Sequence, residues 1–287
     1  MSDRVIGFLR FSVVTDTHKE GYRSTRNRPT QEALQTILAP SRLAQRLKLF
    51  QTMPLASLAA QTDKDFEIKL VTSEHLPQDI KSALYDLAAT HAFLEISELP
   101  VNASVGEHFK SFVRTGERTI TFRIDDDDAL NPEHIADLRT LAAGKDERVL
   151  TSPNGIYVQP EGDMLLVERV HYPSNAFGIG YVSTSGNTIW SIGNHSQIPT
   201  SQMEQHPRKN AWIRSTHAGS DSGARVEGGG KLDRYLPSDL ATMLPEYDYI
   251  DFNRLHAELG EAPIEVKTAG VARFRARVAR FAARLAG

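Results

Sequence analysis

The chain has 287 residues, 40% of them hydrophobic and 24% charged, with 19 glycines and 14 prolines. That composition belongs to a folded globular protein and excludes collagenous, coiled-coil and low-complexity classes. Lys and Arg number 33 against 36 Asp and Glu, a formal charge of −3, so no protein-wide basic field holds nucleic acid by its phosphates. With no cysteine, disulfide scaffolds, thiolate metal sites and cysteine nucleophiles are excluded as well.

The apolar run Val5 to Leu9 is too short for the core of a secretory leader. No segment approaches the roughly 20 apolar residues of a membrane span, and a cytoplasmic protein is expected. Residues 5–14 read as a strand. Residues 41–60 read as a helix capped by Ser41, with an apolar stripe of Leu43, Leu47, Phe50, Leu55 and Leu58, and Pro54 should kink or divide it. A strand is expected over Phe66 to Val71, then a helix with Pro77 at its first position and Ile80, Leu84, Leu87 and Ala88 on one face. A short strand over Phe93 to Ile96, a helix carrying Val105, Phe109, Phe112 and Val113, and a strand over Thr119 to Ile124 follow. Strands alternating with helices argue for βαβ units, an α/β fold whose mostly parallel sheet is flanked by helices and binds ligands at the carboxyl ends of its strands. Beyond residue 144 the pattern is more irregular. A hairpin is expected over Gly155 to Val158 and Met164 to Val167, and two further strands over Gly178 to Ser183 and Thr188 to Ile192.

The most informative segment is Thr119 to Glu133, which holds Asp125, Asp126, Asp127 and Asp128 in succession. Ile120, Phe122 and Ile124 alternate as a buried strand. Asn131 suits an N-cap and Pro132 the first helical position, so the four carboxylates are expected in a tight strand-to-helix connection. If that connection is extended, Asp125 and Asp127 converge on one side, Asp126 and Asp128 on the other. Four adjacent carboxylates repel one another unless a cation neutralises them. A hard divalent ion would bridge them to the oxygens of a diphosphate.

Three stretches then share a resemblance. Arg123 to Leu130, the run Arg46 to Leu58 followed by Gln61-Thr62-Asp63-Lys64-Asp65-Phe66, and Trp212 to His217 together resemble the rhamnosyltransferase family of bacterial glycosyltransferases, over about residues 5 to 220. The resemblance implies a GT-A-like single α/β domain, placed at residues 1–268, that uses a nucleotide-sugar donor and often Mn²⁺ or Mg²⁺. Carried over, it makes Asp125 and Asp127 the metal-binding pair, with Asp127 the stronger direct ligand and the pair Asp126 and Asp128 the competing register. It adds a late histidine, His217, with His195 in reserve. Asp125 and Asp126 are also candidates for contact with the donor.

Transfer from such a donor needs stabilisation of the departing diphosphate and, in inverting enzymes, a base for the acceptor hydroxyl. Glu168, Asp163 and Asp221 lie in the right half of the chain for that base, and Asp221, near His217 in a Ser/Gly-rich stretch, is preferred as the catalytic residue. Glu74 could accept a hydrogen bond from the base of the nucleotide, while Arg10, Lys110, Arg114 and Arg123 could meet its phosphates. Gly228-Gly229-Gly230 with Lys231 offers a lid. Residues 270–287 carry Val271, Phe274, Val278, Phe281 and Leu285 at helical spacing, flanked by five arginines. A basic amphipathic helix over 269–287 is therefore expected, suited either to the inner face of a membrane, where a glycan or lipid-linked acceptor would be met, or to packing its stripe against the domain or a second subunit. The rival readings are a metal-dependent phosphohydrolase using the same aspartates and a Ca²⁺-binding loop, although the spacing lacks the EF-hand form.

Overall fold

The computed structural model describes residues 3–217, 220 and 232–260. The expected lid at 228–231, the helix at 269–287 and Asp221 lie outside the described residues. Strand β1 (Arg4–Arg10) buries Val5 to Leu9 without a break, as a strand covered on both faces must. Helices α1 (Thr30–Ile37) and α2 (Pro40–Phe50) follow. A π-helical turn over Gln51–Leu55 and the short α3 (Ala56–Ala59) come next. Pro54 lies in the π turn, so the long helix is divided as expected: a residue without an N–H cannot continue the ladder. Ser41 is not the cap. Ala39 holds that position and Pro40, with its fixed φ, begins the helix.

Strand β2 (Glu67–Ser73) leads to α4 (Gln78–Thr90), which Pro77 precedes as its cap rather than opening from its first position. Then come β3 (Leu94–Leu99), α5 (Val105–Lys110) and β4 (Thr119–Asp125). The acidic run does not lead straight into a helix. Asp126 and Asp127 form a turn, and a three-residue strand β5 (Asp128–Leu130) intervenes before α6 (His134–Ala142). Asn131 accepts a bond from Glu133 N at 3.0 Å in a local turn, and Glu133 takes the cap position.

The chain continues through β6 (Arg148–Thr151), β7 (Asn154–Glu161), β8 (Met164–His171) and β9 (Gly180–Ser183). The strand expected at Thr188 to Ile192 is instead a turn closed by Ser191 N on Thr188 O at 2.9 Å. Strands β10 (Met203–Gln205), β11 (Trp212–Ser215) and β12 (Leu232–Tyr235) and helices α7 (Pro237–Met243) and α8 (Phe252–Leu259) complete the described elements.

Two sheets result. The first has the order β10-β6-β9-β4-β1-β2-β3, mostly parallel, with β9 running against its neighbours β4 and β6. From β1 the sheet grows one way through β2 and β3 and the other way through β4. That reversal opens a crevice at the carboxyl ends of β1 and β4. Phe50, Leu58, Ile68, Phe122 and Leu138 fill one side of this sheet, and Phe8, Val71, Phe109 and Ile179 the other. The second sheet, β12-β8-β7-β11-β5, packs Ile156, Val158, Leu165 and Ile213 against Leu240, Phe252 and Leu255 of α7 and α8. The chain therefore steps from one sheet to the other across Asp126 and Asp127. Among the described residues no helix is long and apolar enough to cross a membrane.

Trp212 opens β11 and lies flat on the backbone of Gly155 in β7, where an added Cβ would fall 2.1 Å from ring carbons. Overpacking of this kind costs about 1–3 kcal/mol. Gly155→Ala is expected to lower the urea midpoint correspondingly, with no change in midpoint as the contrary result.

Candidate functional site

The crevice is a cleft of about 820 Å³ lined by all four aspartates and by Arg10, Arg23, Arg26, Arg42, Arg46, Arg123 and Arg214. Arg10 is the last residue of β1 and stands beside Asp125, the last of β4, in register; its Nη2 donates to Asp125 Oδ1 at 2.6 Å. Arg123, two residues earlier on the same face of β4, lies 3.5 Å from the same oxygen. Both guanidiniums sit over Trp190, at 4.8 and 5.0 Å from the ring centroid, an arrangement that holds planar cations in place. Arg10 also donates to His18 Nε2 at 2.9 Å. That nitrogen must then be unprotonated, in accord with burial and Arg10 pushing the His18 pKa down to about 3.

Asp126 and Asp127 depart from the expected alternation because the chain turns there. Arg46, reaching from α2, bridges them at 2.5 Å and 2.9 Å. Asp127 is held a second time by the C-terminal end of β11. Ser215 Oγ donates to its carbonyl at 2.7 Å, and His217 Nε2 lies 3.1 Å from its Oδ2. Asp128 pairs in register with Arg214, whose guanidinium sits over Tyr157 and Phe177.

Burial opposes the charged form of all four carboxylates. At Asp125 the guanidiniums of Arg10 and Arg123 outweigh it and hold the carboxyl below its usual range. Arg46 and His217 do the same at Asp127, to about 2. At Asp126 burial prevails over Arg46, and at Asp128 burial together with Asp127 and Asp125 pushes the pKa well up. Asp128 Oδ1 is buried without a hydrogen-bond partner. The run thus contains two firmly ionised carboxylates set in arginine, rather than four equivalent ones awaiting a cation.

Of the metal candidates, Asp127 and His217 are brought together, whereas Asp125 faces Arg10 and Arg123. Among the described residues no group of three His, Cys, Asp or Glu side chains is arranged to hold a metal ion. Asp127 lines the cleft, where a divalent ion could take its remaining ligands from water and phosphate oxygens, whereas the His217 side chain is fully buried behind it, does not line the cleft and reaches Asp127 Oδ2. Asp126 and Arg123 line the cleft. Glu74 and Arg114 are exposed and do not line it, nor does Lys110; Glu74 lies 3.5 Å from His75 Nε2, and Arg114 stands ahead of β4, at the end away from Asp125. Asp163 is exposed in the β7–β8 turn, and Glu168 is buried on β8, away from the cleft. His195, the reserve histidine, does line it. Sequence reasoning assigned no site role to Arg46, Arg214 or Trp190. Arg46 carried a signal, a charge three residues after Leu43 and four before Phe50 on a face that is otherwise apolar.

With that geometry in view, the sequence over residues 4–229 matches the family described as "Putative rhamnosyl transferase". The chain belongs to that family. No curated protein matches it. Among solved structures this family member is similar to S. aureus TarS 1-349 in complex with UDP-GlcNAc, at 13% identity and a TM-score of 0.43, covering 78% of this chain and 62% of that one. It is also similar to the mannosyltransferase PcManGT from Pyrobaculum calidifontis in complex with GDP-Man and Mn2+, at 15% identity and a TM-score of 0.31, covering 53% and 36%. The chain thus spans less than two thirds of either.

Removing one partner of a buried ion pair strands the other charge, at a cost of about 3–5 kcal/mol. Arg46→Met is therefore expected to lower the unfolding free energy by about that much at pH 7. The deficit should shrink toward pH 4, where Asp126 and Asp127, freed of Arg46, take up protons. A deficit independent of pH, measured by denaturant titration, would speak against this account.

Proposed function

We propose that the cleft binds the diphosphate of a nucleotide-sugar donor and that the protein transfers the sugar, a deoxyhexose such as rhamnose, to a glycan or lipid-linked acceptor. The observation that carries the reading is the position of the arginine-set acidic step at the sheet reversal, in a cleft lined by seven arginines and four aspartates. Such a lining is cationic overall, and oriented guanidiniums recognise phosphate oxygens in pairs. Family membership over residues 4–229 supports the same chemistry.

As the bond between the anomeric carbon and the phosphate oxygen breaks, negative charge gathers on the departing diphosphate. Groups already oriented toward that charge lower the barrier most. Arg10 and Arg123 are held by Asp125 and Trp190, and Arg46 by Asp126 and Asp127, so none needs to reorganise during the reaction. Asp127, positioned by His217, would hold Mn²⁺ or Mg²⁺, which when bound supplies further charge stabilisation at the diphosphate. The aromatic side chains Tyr157, Phe177 and Trp190 offer apolar surface to sugar and base and help exclude water. Two-cation phosphate hydrolysis is a poorer fit. It requires several shared carboxylates, and here Asp125 and Asp126 are engaged by Arg10 and Arg46.

A ligand that binds only the folded state raises its stability by mass action, about 2.7 kcal/mol at one hundred times Kd. One of UDP, GDP or dTDP is therefore expected to raise the melting temperature, and more so with Mn²⁺. The Mn²⁺-dependent part should vanish in Asp127→Ala. Failure of every nucleoside diphosphate to stabilise the wild-type protein would overturn the reading.

A further inference from the structure

We propose that His195 is the general base that takes the proton of the acceptor hydroxyl, an inference that rests on the transfer reading above. His195 opens a 3-10 turn, His195–Gln197, capped by Asn194, whose Oδ1 accepts from Ser196 N at 3.1 Å. The ring lines the same cleft as the aspartates. Its Nδ1 lies 2.6 Å from the carbonyl oxygen of Ser174. A carbonyl can only accept, so Nδ1 carries the ring proton and Nε2 of the neutral imidazole is left with a lone pair. This is how a histidine base is oriented: one nitrogen is tied to a fixed acceptor and the other is open to the substrate.

Elimination within the cleft points the same way. Asp125 is committed to Arg10, and Asp126 and Asp127 to Arg46, with His217 also on Asp127. Asp128 is buried on β5 and paired in register with Arg214. His18 already accepts from Arg10 at Nε2. Among the described groups lining the cleft, His195 is the neutral proton acceptor that remains.

The groups whose charge reaches it are Arg123 and Asp125 at the end of β4 and Arg10 at the end of β1. Burial, then Arg123 and Arg10, lower its pKa against the opposing pull of Asp125 and the Ser174 carbonyl. The ring is therefore a free base at neutral pH. A bound diphosphate would offset the two arginines and make the ring more basic with donor in place, nearer the value at which a base works best.

In the step itself the acceptor oxygen attacks the anomeric carbon. The bond from that carbon to the phosphate oxygen breaks, and its electron pair leaves with the diphosphate. The acceptor proton passes to His195 Nε2 and from there to solvent. This single displacement inverts the anomeric configuration.

Water serves as the acceptor in the test, with UDP-N-acetylglucosamine, GDP-mannose and dTDP-rhamnose as donors, and release of nucleoside diphosphate is followed. His195→Asn keeps a donor for the Ser174 carbonyl and removes Nε2. It is expected to lower kcat by about 100-fold or more, to leave the donor-induced melting shift intact, and to abolish the acid limb of the pH–rate profile. Imidazole should restore part of the rate to His195→Ala. If the wild type cleaves a donor and His195→Asn cleaves it as fast with the same acid limb, the base assignment is overturned while the transfer reading stands. If His195→Asn no longer binds donor, the residue serves binding and the assignment is again overturned. A wild-type protein that neither binds nor cleaves any of the donors overturns the transfer reading, and this inference with it.

Discussion

The structure turns on the pairing of buried guanidiniums with the aspartates at the step between its two sheets. The first sheet ends its central strand at Asp125 and the second begins at Asp128, so the polypeptide crosses between them on two residues, both acidic and both shielded from solvent. Charges in that position are tolerated only when partnered. Arg10 comes from the neighbouring strand, Arg46 from a helix some 80 residues earlier in sequence, and His217 from the far end of β11. Three distant segments are thereby drawn to one point, and the cleft is the space they enclose.

A consequence is that the cleft's charge differs in sign from what the acidic run suggests by itself. The protein as a whole is slightly acidic, with a formal charge of −3, yet seven arginines face four aspartates here. Arginine suits this role better than lysine because its planar fork serves a carboxylate and a phosphate at once and stacks on aromatic rings. Trp190 under Arg10 and Arg123, and Tyr157 and Phe177 under Arg214, supply those rings. The carboxylates then act chiefly as positioners of cations, with Asp127 additionally turned toward His217.

Much of the first half was legible because its strands are long apolar runs bounded by helices, and local pattern suffices for such elements. β2 and β4 emerged near their observed limits, β1 ends at Arg10 where its expected span ran on to residue 14, and Pro54 divided its helix for the reason its chemistry dictates. What local pattern could not show was β5. Its three residues become a strand only by pairing with Trp212 to Arg214, more than 80 residues away. The apolar Ile189, Trp190 and Ile192 resembled a strand yet pack from a turn against the Phe8 and Phe109 side of the first sheet. At the site, the acidic run announced itself through composition. Of its partners, Arg10, Arg123 and His217 were among the candidates, whereas the reach of Arg46 into the cleft depends on how α2 docks on the sheet.

Trp190 offers the most direct test of the central claim, that a diphosphate is held where Arg10 and Arg123 lie over this ring. The chain has two tryptophans, and Trp212 is buried. Titration with UDP, GDP or dTDP in the presence of Mn²⁺ should therefore produce a saturable change in tryptophan fluorescence that disappears in Trp190→Phe. Emission that stays constant across all three nucleotides, or a change that survives in Trp190→Phe, would contradict the account.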